Sequence, residues 1–439
     1  MQTIVKQAQK QVNVELNVPG DKSVSHRSVI FGSICPGETQ IKNFLQGEDC
    51  KHTLEAFQAM GVEAQLSSDL LIIKGKKLQE LTKPEKEVYL GNSGTSIRLL
   101  SGLFSGLPFT TTLTGDASLQ KRPMNRVIKP LELMGAQISS KEGGLAPLII
   151  NPEAKSNLLK GIEYNSPIAS AQVKSCLLLA ALSAEGRTTI TEPHLSRDHS
   201  ERMLQYLGAN LEINGNTISI DGKNAYEQLE AKEIFVPSDI SSAAFFMVAA
   251  AILDDAQITL KNIGINPSRT GILEAFDLMN VNYQMLNQRK VNNEDIADIK
   301  VVSSEIKAAE IGGALIPKLI DEIPIIAILA AQANGTTIIK DAEELRVKES
   351  NRIASTMNML AKLGVKAQET QDGMIIEGRN KRAFEVQEDT QIDSFGDHRL
   401  AMSSSIAALY ATNPIEVLKT EFVQTSFPNF FELLDSIKE

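Results

Sequence analysis

Tryptophan is absent from this 439-residue chain, aromatic residues make up only 5% of it, and there are three cysteines. Cys35, Cys50 and Cys176 are an odd number without CxxC spacing, which fits neither a disulfide framework nor a zinc site; all three are read as reduced thiols. Long apolar runs are lacking as well. Residues 243–253 and 323–331 are uncharged runs of 11 and 9 residues, short of the ~18 that cross a bilayer. Nor is there an excess of positive charge: 44 Lys and Arg stand against 54 Asp and Glu. The net charge of -10 provides no basic footprint for a nucleic-acid backbone, so an anionic ligand must be held by a local basic pocket. The first ten residues alternate polar and apolar side chains without a hydrophobic run or a small-residue cleavage site, so no secretory signal is read there and the cytosol is the expected compartment. What is present is the composition of a globular protein, 42% hydrophobic and 22% charged. The length suits about two to four domains at roughly 100 to 200 residues each.

Internal repetition dominates the pattern. A helix end of the form apolar, two residues, Met or Leu, Gly or Asn, Ala or Val occurs five times, with its fifth position at Gly61, Gly135, Gly208, Asn280 and Gly364. The spacings are 74, 73, 72 and 84 residues. Gly or Asn there can take the left-handed conformation that closes a helix before a strand. A second element alternates with it: a hydroxyl-rich start, an Ala/Leu/Ile-rich helix, a tight turn and a Thr- or Ile-rich strand. Its turns fall at Gly37, Gly106, Gly186, Asp255, Gly335 and Asn413. Six copies of one αβ unit account for the chain, the last corner being replaced by a terminal helix around residues 430–437. The polar stretch 225–233 gives way to the very apolar helix from Ala243, which marks a boundary near the midpoint with three units on each side. The first strand, residues 11–18, can return to the second half. The expected domains are therefore 1–18 plus 239–439 and 19–238, joined by two chain crossings and a hinge.

The six helix starts carry the chemistry. They are Lys22-Ser23, Thr95-Ser96, Ser170 to Gln172, Ser241-Ser242, Asp321-Glu322 and Asp397-His398-Arg399. A helix N-terminus presents unpaired N–H groups and about half a positive charge, so several together build an anion site. The first start adds Lys22, Ser23 and Arg27. The second is a Gly-rich loop with Asn92 and Gly94, where small residues let backbone amides approach an anion. Lys121 and Arg122 precede Pro123, read as the start of the next helix. Ser170, Gln172 and Lys174 repeat the hydroxyl, amide and cation theme, with Ser196 and Arg197 further on. In the second half Asp321 stands at the mouth of an apolar helix, and Arg346, Lys348 and Arg352 surround Glu349. Lys348 and Arg352 are four apart and share a face if a helix begins before them. Any one of these is also what ordinary capping produces; recurrence at five or more starts in both halves argues for a site.

These residues resemble the 5-enolpyruvylshikimate-3-phosphate synthase family, and the resemblance covers essentially the whole chain. Its most specific pieces are PGDKSVSHR at 19–27, LGNSGTSIRLL at 90–100, KRPM at 121–124, SAQVKS at 170–175, RVKESNR at 346–352 and GDHRLAM at 396–402. KSVSHR, NSGTSIR and SAQVKS look like the Gram-positive-type branch. The resemblance implies an α/β fold, a two-domain inside-out α/β barrel of six βαβαββ units, three per domain, with the active site in the cleft between the domains. It implies transfer of the carboxyvinyl group of phosphoenolpyruvate to the 5-hydroxyl of shikimate 3-phosphate, with release of phosphate through a tetrahedral intermediate. By motif position, shikimate 3-phosphate falls to Lys22, Ser23, Arg27, Ser170, Gln172, Ser196 or Arg197, Asp321 and Lys348. Phosphoenolpyruvate falls to Lys22, Asn92, Gly94, Arg122, Gln172, Arg352 and Arg399, cations suited to carboxylate and phosphate. Asp321 is the candidate base, Glu349 the candidate acid, and Lys22 the group near the bridging oxygen. The donor-competitive inhibitor glyphosate is expected against Gly94. No cofactor or metal is implied, the partners are the two small substrates with neither nucleic acid nor membrane, and a monomer is expected.

Two positions depart from the family. Many members carry Lys just before the C-terminal Thr-Phe-Pro, whereas here the run is Gln424-Thr425-Ser426-Phe427-Pro428, and Glu344 stands where some have Asn. The alternatives are a UDP-N-acetylglucosamine enolpyruvyl transferase, disfavoured because residues 117–125 hold no cysteine for its reactive loop, and a non-catalytic two-lobed anion-binding protein, which would release no phosphate.

Overall fold

The structure, a computed structural model, describes residues 1–8, 11–151 and 159–437. It is a mixed α/β fold whose chain divides into two compact units. The first comprises Met1–Asp21, Pro237–Lys290 and Asp295–Glu439; the second comprises Lys22–Val236 with the turn Val291–Glu294. Each has its own hydrophobic core.

In the second unit the helices Lys22–Ile34, Gly94–Ser105 and Ala171–Ala181 are buried along most of their length. Ile240–Ile252, Ile323–Ala331 and His398–Ala408 are their counterparts in the first. Ile240–Ile252 and Ile323–Ala331 are apolar around nearly the whole circumference, which only an enclosed position satisfies. The remaining longer helices are two-faced. Glu48–Gln58 buries Cys50, Leu54 and Phe57, and Arg352–Lys362 buries Ile353, Met359 and Leu360, while their opposite faces meet water.

Among the described residues the strands form six small sheets. Five share one arrangement: a short strand runs parallel to a second, the second is antiparallel to a third, and the third to a fourth. In the second unit, for example, Ile234–Phe235 pairs in parallel with Gly37–Lys42, which is antiparallel to Leu70–Gly75, itself antiparallel to Glu63–Ser67. In the first unit Asn13–Leu16 is the short parallel strand beside Gln257–Gly264. The sixth sheet differs, because Gln2–Val5, which the sequence pattern does not single out as a strand, adds antiparallel to Ile415–Leu418, with Gln391–Asp393 parallel on the other side.

All five anticipated helix closures are left-handed, with φ of 86° at Gly61, 95° at Gly135, 112° at Gly208, 61° at Asn280 and 68° at Gly364. Gly106 differs from the other turn glycines. Its φ is -87°, and it is required by close approach instead, since a Cβ there would lie 2.4 Å from the Ser183 side chain. Within the first unit the segment that ends at Asp21 is bonded to the one that begins at Pro237: Asp21 N–H donates to Pro237 O at 2.7 Å and Asp239 N–H to Pro19 O at 2.9 Å.

Candidate active site

In the second unit three helix starts carry the predicted groups. Lys22 opens the first helix and pairs with Asp49. Arg27, one turn on, is buried; its Nη1 donates to Ser23 O at 2.9 Å, Nε to Ser200 Oγ at 2.7 Å and Nη2 to Ser175 Oγ at 2.8 Å. The second start is capped by Ser93, which accepts from Ser96 N–H at 3.1 Å. Here Asn92 Oδ1 accepts from Arg122 Nη2 at 2.5 Å, and Asn92 Nδ2 donates to Asp116 Oδ2 at 2.7 Å. Arg98, one turn into the helix, donates to Gln172 Oε1 at 2.7 Å, and Gln172 Nε2 donates to Thr95 Oγ1 at 3.2 Å. A Cβ added to Gly94 would lie 3.1 Å from Arg98 Nη1 and 3.4 Å from Arg122 Nη1. Asn92, Gly94, Arg122 and Gln172 are thus one neighbourhood.

The third start is capped by Ser170, whose hydroxyl oxygen accepts from Val173 N–H at 3.4 Å. Behind it lies a buried ion triad. Lys174 Nζ is 2.8 Å from Glu192 Oε2 and 2.8 Å from Glu201 Oε1, the three side chains being 1%, 1% and 2% exposed. Burial opposes the charge on Lys174, and the carboxylates of Glu201 and Glu192 outweigh it, holding its pKa above the usual value. Burial pushes the Glu201 carboxyl up, against the pull of Lys174. Ser196 donates from Oγ to Glu192 at 2.7 and 2.9 Å, and Arg197 follows it, half-buried.

In the first unit the buried guanidinium of Arg352 gathers Asp321, Glu349 and Asp397. Arg352, 1% exposed, donates from Nε to Asp397 Oδ2 at 2.8 Å, from Nη2 to Glu349 Oε2 at 2.5 Å and from Nη1 to Asp321 Oδ1 at 3.4 Å. Burial works against that charge, and Asp397, Glu349 and Asp321 overcome it, raising the Arg352 pKa. Arg399 Nη1 donates to Asp321 O at 2.9 Å and lies 3.7 Å from Glu322 Oε1. Glu322 also accepts from Ser241 Oγ, which accepts from Arg269 Nη2 at 2.7 Å. Arg269 reaches Asp239 at 3.1 Å and Asp21 at 3.6 Å. Burial lifts the Asp239 carboxyl to about 6, the Asp21 charge adds to the rise, and Arg269 and Arg399 oppose it.

Three expectations need correction. Lys348 and Arg352 do not share a helix: Glu343–Val347 is a 3-10 stretch, Lys348 is extended, and the helix begins at Arg352 behind the Asn351 cap. Arg346 does not join the cluster either, since it donates to Glu369 Oε1 at 2.8 Å and to the carbonyls of Thr370 and Gln371. The helix after Arg122 starts at Asn125 rather than Pro123, because Leu119–Lys121 is a separate 3-10 turn. Lys348 pairs instead with Glu344 at 3.2 Å, and Gln424 donates to Pro428 O at 3.3 Å, exposed. Sequence reasoning missed Asp49, Arg98 and Asp397 as organising groups, although Arg98 is four residues, one turn, after Gly94. It also missed Glu192 and Glu201, for which no local pattern exists.

The chain matches known proteins along its length. The family model for EPSP synthase (3-phosphoshikimate 1-carboxyvinyltransferase) matches residues 6–434. The 3-phosphoshikimate 1-carboxyvinyltransferase of Bacillus licheniformis is 47% identical over 426 residues, 97% of each chain. That of Geobacter sulfurreducens is 49% identical over 424 residues, 96% of each. The solved structure of the EPSP synthase from Acinetobacter baumannii superposes with a TM-score of 0.89 at 45% identity, covering 100% of this chain and 98% of that one. With the family's motifs and the family's extent both present, the chain belongs to the EPSP synthase family.

Proposed function

We propose that this protein transfers the enolpyruvyl group of phosphoenolpyruvate to the 5-hydroxyl of shikimate 3-phosphate and releases phosphate, a step of aromatic amino-acid biosynthesis. The match to the family over residues 6–434 carries this reading. The chemistry of the two residue groups agrees with it. Two polyanionic substrates need several cations and helix starts, and the chain supplies Lys22, Arg27, Arg122, Lys348, Arg352 and Arg399 there.

Shikimate 3-phosphate is assigned to Lys22, Ser23, Arg27, Ser170, Gln172, Ser196 or Arg197, Asp321 and Lys348, and phosphoenolpyruvate to Lys22, Asn92, Gly94, Arg122, Gln172, Arg352 and Arg399. In the addition step Asp321 takes the proton of the 5-hydroxyl as its oxygen bonds to the substituted carbon of the enol, and Glu349 gives a proton to the methylene carbon. In the elimination step the methyl group returns a proton, the carbon–oxygen bond to phosphate breaks, and Lys22 stabilises the departing oxygen. Arg352 is engaged by three carboxylates without substrate. A carboxylate and phosphate brought by the donor compete with Glu349 for that guanidinium.

The finer architecture proposed is a two-domain inside-out α/β barrel of six βαβαββ repeats, three in 19–238 and three in 1–18 plus 239–439; the common order of five sheets supports it. The proposed setting is a cytoplasmic monomer with small-molecule partners only. Among the described residues no helix is long and apolar enough to cross a membrane. The test is phosphate release by the purified protein with both substrates, with either omitted, and with UDP-N-acetylglucosamine in place of shikimate 3-phosphate. Release in the first case alone is expected. Release with the sugar nucleotide, or none at all, refutes the assignment.

A further inference from the structure

The triad behind Ser170 presents an unusual economy of charge. One ammonium and two carboxylates are withdrawn from water, leaving the cluster net negative, and Glu201 Oε2 is buried with no hydrogen-bond partner among the described residues. Removing three ions from water commonly demands more than their mutual attraction returns, and apolar side chains of similar volume would serve stability at least as well. Stability is therefore a poor reason for the triad, and its connections point to geometry instead.

Those connections converge on one carboxylate. Glu192 follows the strand Arg187–Thr191 and sits between two candidate acceptor-binding positions. Its Oε1 accepts from Ser170 N–H at 3.0 Å and Ser196 Oγ at 2.7 Å, while its Oε2 accepts from Ser196 N–H at 3.3 Å and Ser196 Oγ at 2.9 Å. Lys174, one turn below Ser170 on the same helix, fixes Oε2 at 2.8 Å and reaches Ser196 O at 3.4 Å. Glu201 ties Lys174 to the helix His199–Tyr206, where the adjacent Ser200 accepts from Arg27 Nε at 2.7 Å. An ionised carboxylate only accepts, and serine has one hydroxyl proton. Glu192 uses that proton and the Ser196 amide as well, so Ser196 has nothing left to donate to a phosphate. Ser170 is different: its oxygen accepts as a cap, which leaves its own O–H to donate.

We propose that Glu192, held by Lys174, is a positioning residue of the acceptor subsite: it sets the Ser170 helix start and the loop bearing Arg197, and Ser196 is its anchored peg rather than a ligand of shikimate 3-phosphate. The proposal rests on the assignment of shikimate 3-phosphate to Ser170 and Arg197. Glu192→Gln keeps the shape, converts one acceptor oxygen to a donor and leaves Lys174 paired with Glu201, so the chain retains a neutral buried pair. Glu192→Asp is the companion variant, keeping the charge but withdrawing the carboxylate by one methylene. Losing hydrogen bonds to a charged group is expected to raise KM for shikimate 3-phosphate tenfold to a hundredfold in either variant, with KM for phosphoenolpyruvate within about twofold. The thermal midpoint should be unchanged or higher in Glu192→Gln.

The decisive measurement is a double-mutant cycle with Ser196→Ala, read as shikimate 3-phosphate affinity by calorimetry. Ser196→Ala is expected to weaken binding several-fold in the wild type and to have no further effect in the Glu192→Gln background. An equal loss in both backgrounds would show that Ser196 meets the acceptor itself and would overturn the proposal. So would equal rises in both KM values accompanied by a lower thermal midpoint, the pattern of a purely structural residue. Wild-type protein that does not bind shikimate 3-phosphate would instead overturn the functional reading, and with it this one.

Discussion

Replacing Gly94 with alanine isolates the donor neighbourhood from the stability of the fold. The new Cβ would stand 3.1 Å from Arg98 Nη1 and 3.4 Å from Arg122 Nη1, tighter than ordinary van der Waals contact for the first and at its edge for the second. Both are ends of long side chains, so they yield by a few tenths of an ångström rather than block folding. The backbone does not resist, because the φ of Gly94 lies outside the left-handed range. In a helical position alanine even adds about 0.5–1 kcal/mol of stability. The shift falls on the 2.7 Å bond from Arg98 to Gln172 and on the approach of Arg122 to its anion. Complete loss of one such charge-assisted hydrogen bond is worth about 1.5–3 kcal/mol, which at ~1.4 kcal/mol per decade sets a ceiling somewhat above a hundredfold on the rise in phosphoenolpyruvate KM. Tenfold is the expected centre. The assay is the initial rate of phosphate release, varying each substrate with the other saturating, together with calorimetric unfolding. A phosphoenolpyruvate KM within twofold of wild type, or a rise confined to shikimate 3-phosphate, would refute the assignment of this loop to the donor.

Three further outcomes are expected. The Asp239 carboxyl, raised from 3.8 to about 6, holds a proton in the folded chain that the unfolded chain has released, so stability falls as pH rises between those values. At ~1.36 kcal/mol per unit the loss is on the order of 1–3 kcal/mol; Asp239→Asn should flatten denaturant midpoints between pH 4 and 7, and an unchanged slope would show that the pH dependence arises at another group. Asp321→Asn and Glu349→Gln should each lower kcat by roughly 10² to 10⁴ while leaving substrate binding within about tenfold. Deuterium incorporation into the methyl group of the intermediate reads the second directly, and wild-type incorporation in Glu349→Gln would move the acid role elsewhere, to Lys22 first. Glu344→Asn releases Lys348 from a surface ion pair of about 0.2–1 kcal/mol, so KM for shikimate 3-phosphate should fall about twofold, and a rise would contradict the placement of Lys348.

How far the sequence could be read depended on whether a signal was local. The left-handed closures at Gly61 through Gly364 and the helix starts at Ser170 and Asp397 are short-range features, and they stand where the pattern placed them. Arg98 was within reach, since one helical turn from Gly94 is legible spacing. The helix drawn through Lys348 failed for a local reason too: Asn351 accepts from Ala354 N–H at 3.3 Å and starts the helix later than charge spacing suggested. Groups that matter through tertiary contact were invisible. Lys174 and Glu192 are 18 residues apart and Arg352 and Asp397 are 45 apart, and nothing in either neighbourhood announces the other. The same holds for Gln2–Val5, a four-residue strand recognisable only by the partner it finds.

That strand constrains when the first unit can exist. Gln2–Val5 pairs with Ile415–Leu418, a partner synthesised about 410 residues later, which at ~5–20 residues per second is a wait on the order of 20 to 80 seconds on the ribosome. The strand Asn13–Leu16 waits a shorter time, for Gln257–Gly264. Meanwhile nearly all of the second unit emerges as one continuous stretch, Lys22–Val236, and needs only the small turn Val291–Glu294 from beyond it. Birth order and assembly order are therefore inverted for this strand: Gln2–Val5 emerges well before the partner that gives it a place, and the strand edges left open must be shielded until Ile415–Leu418 has followed.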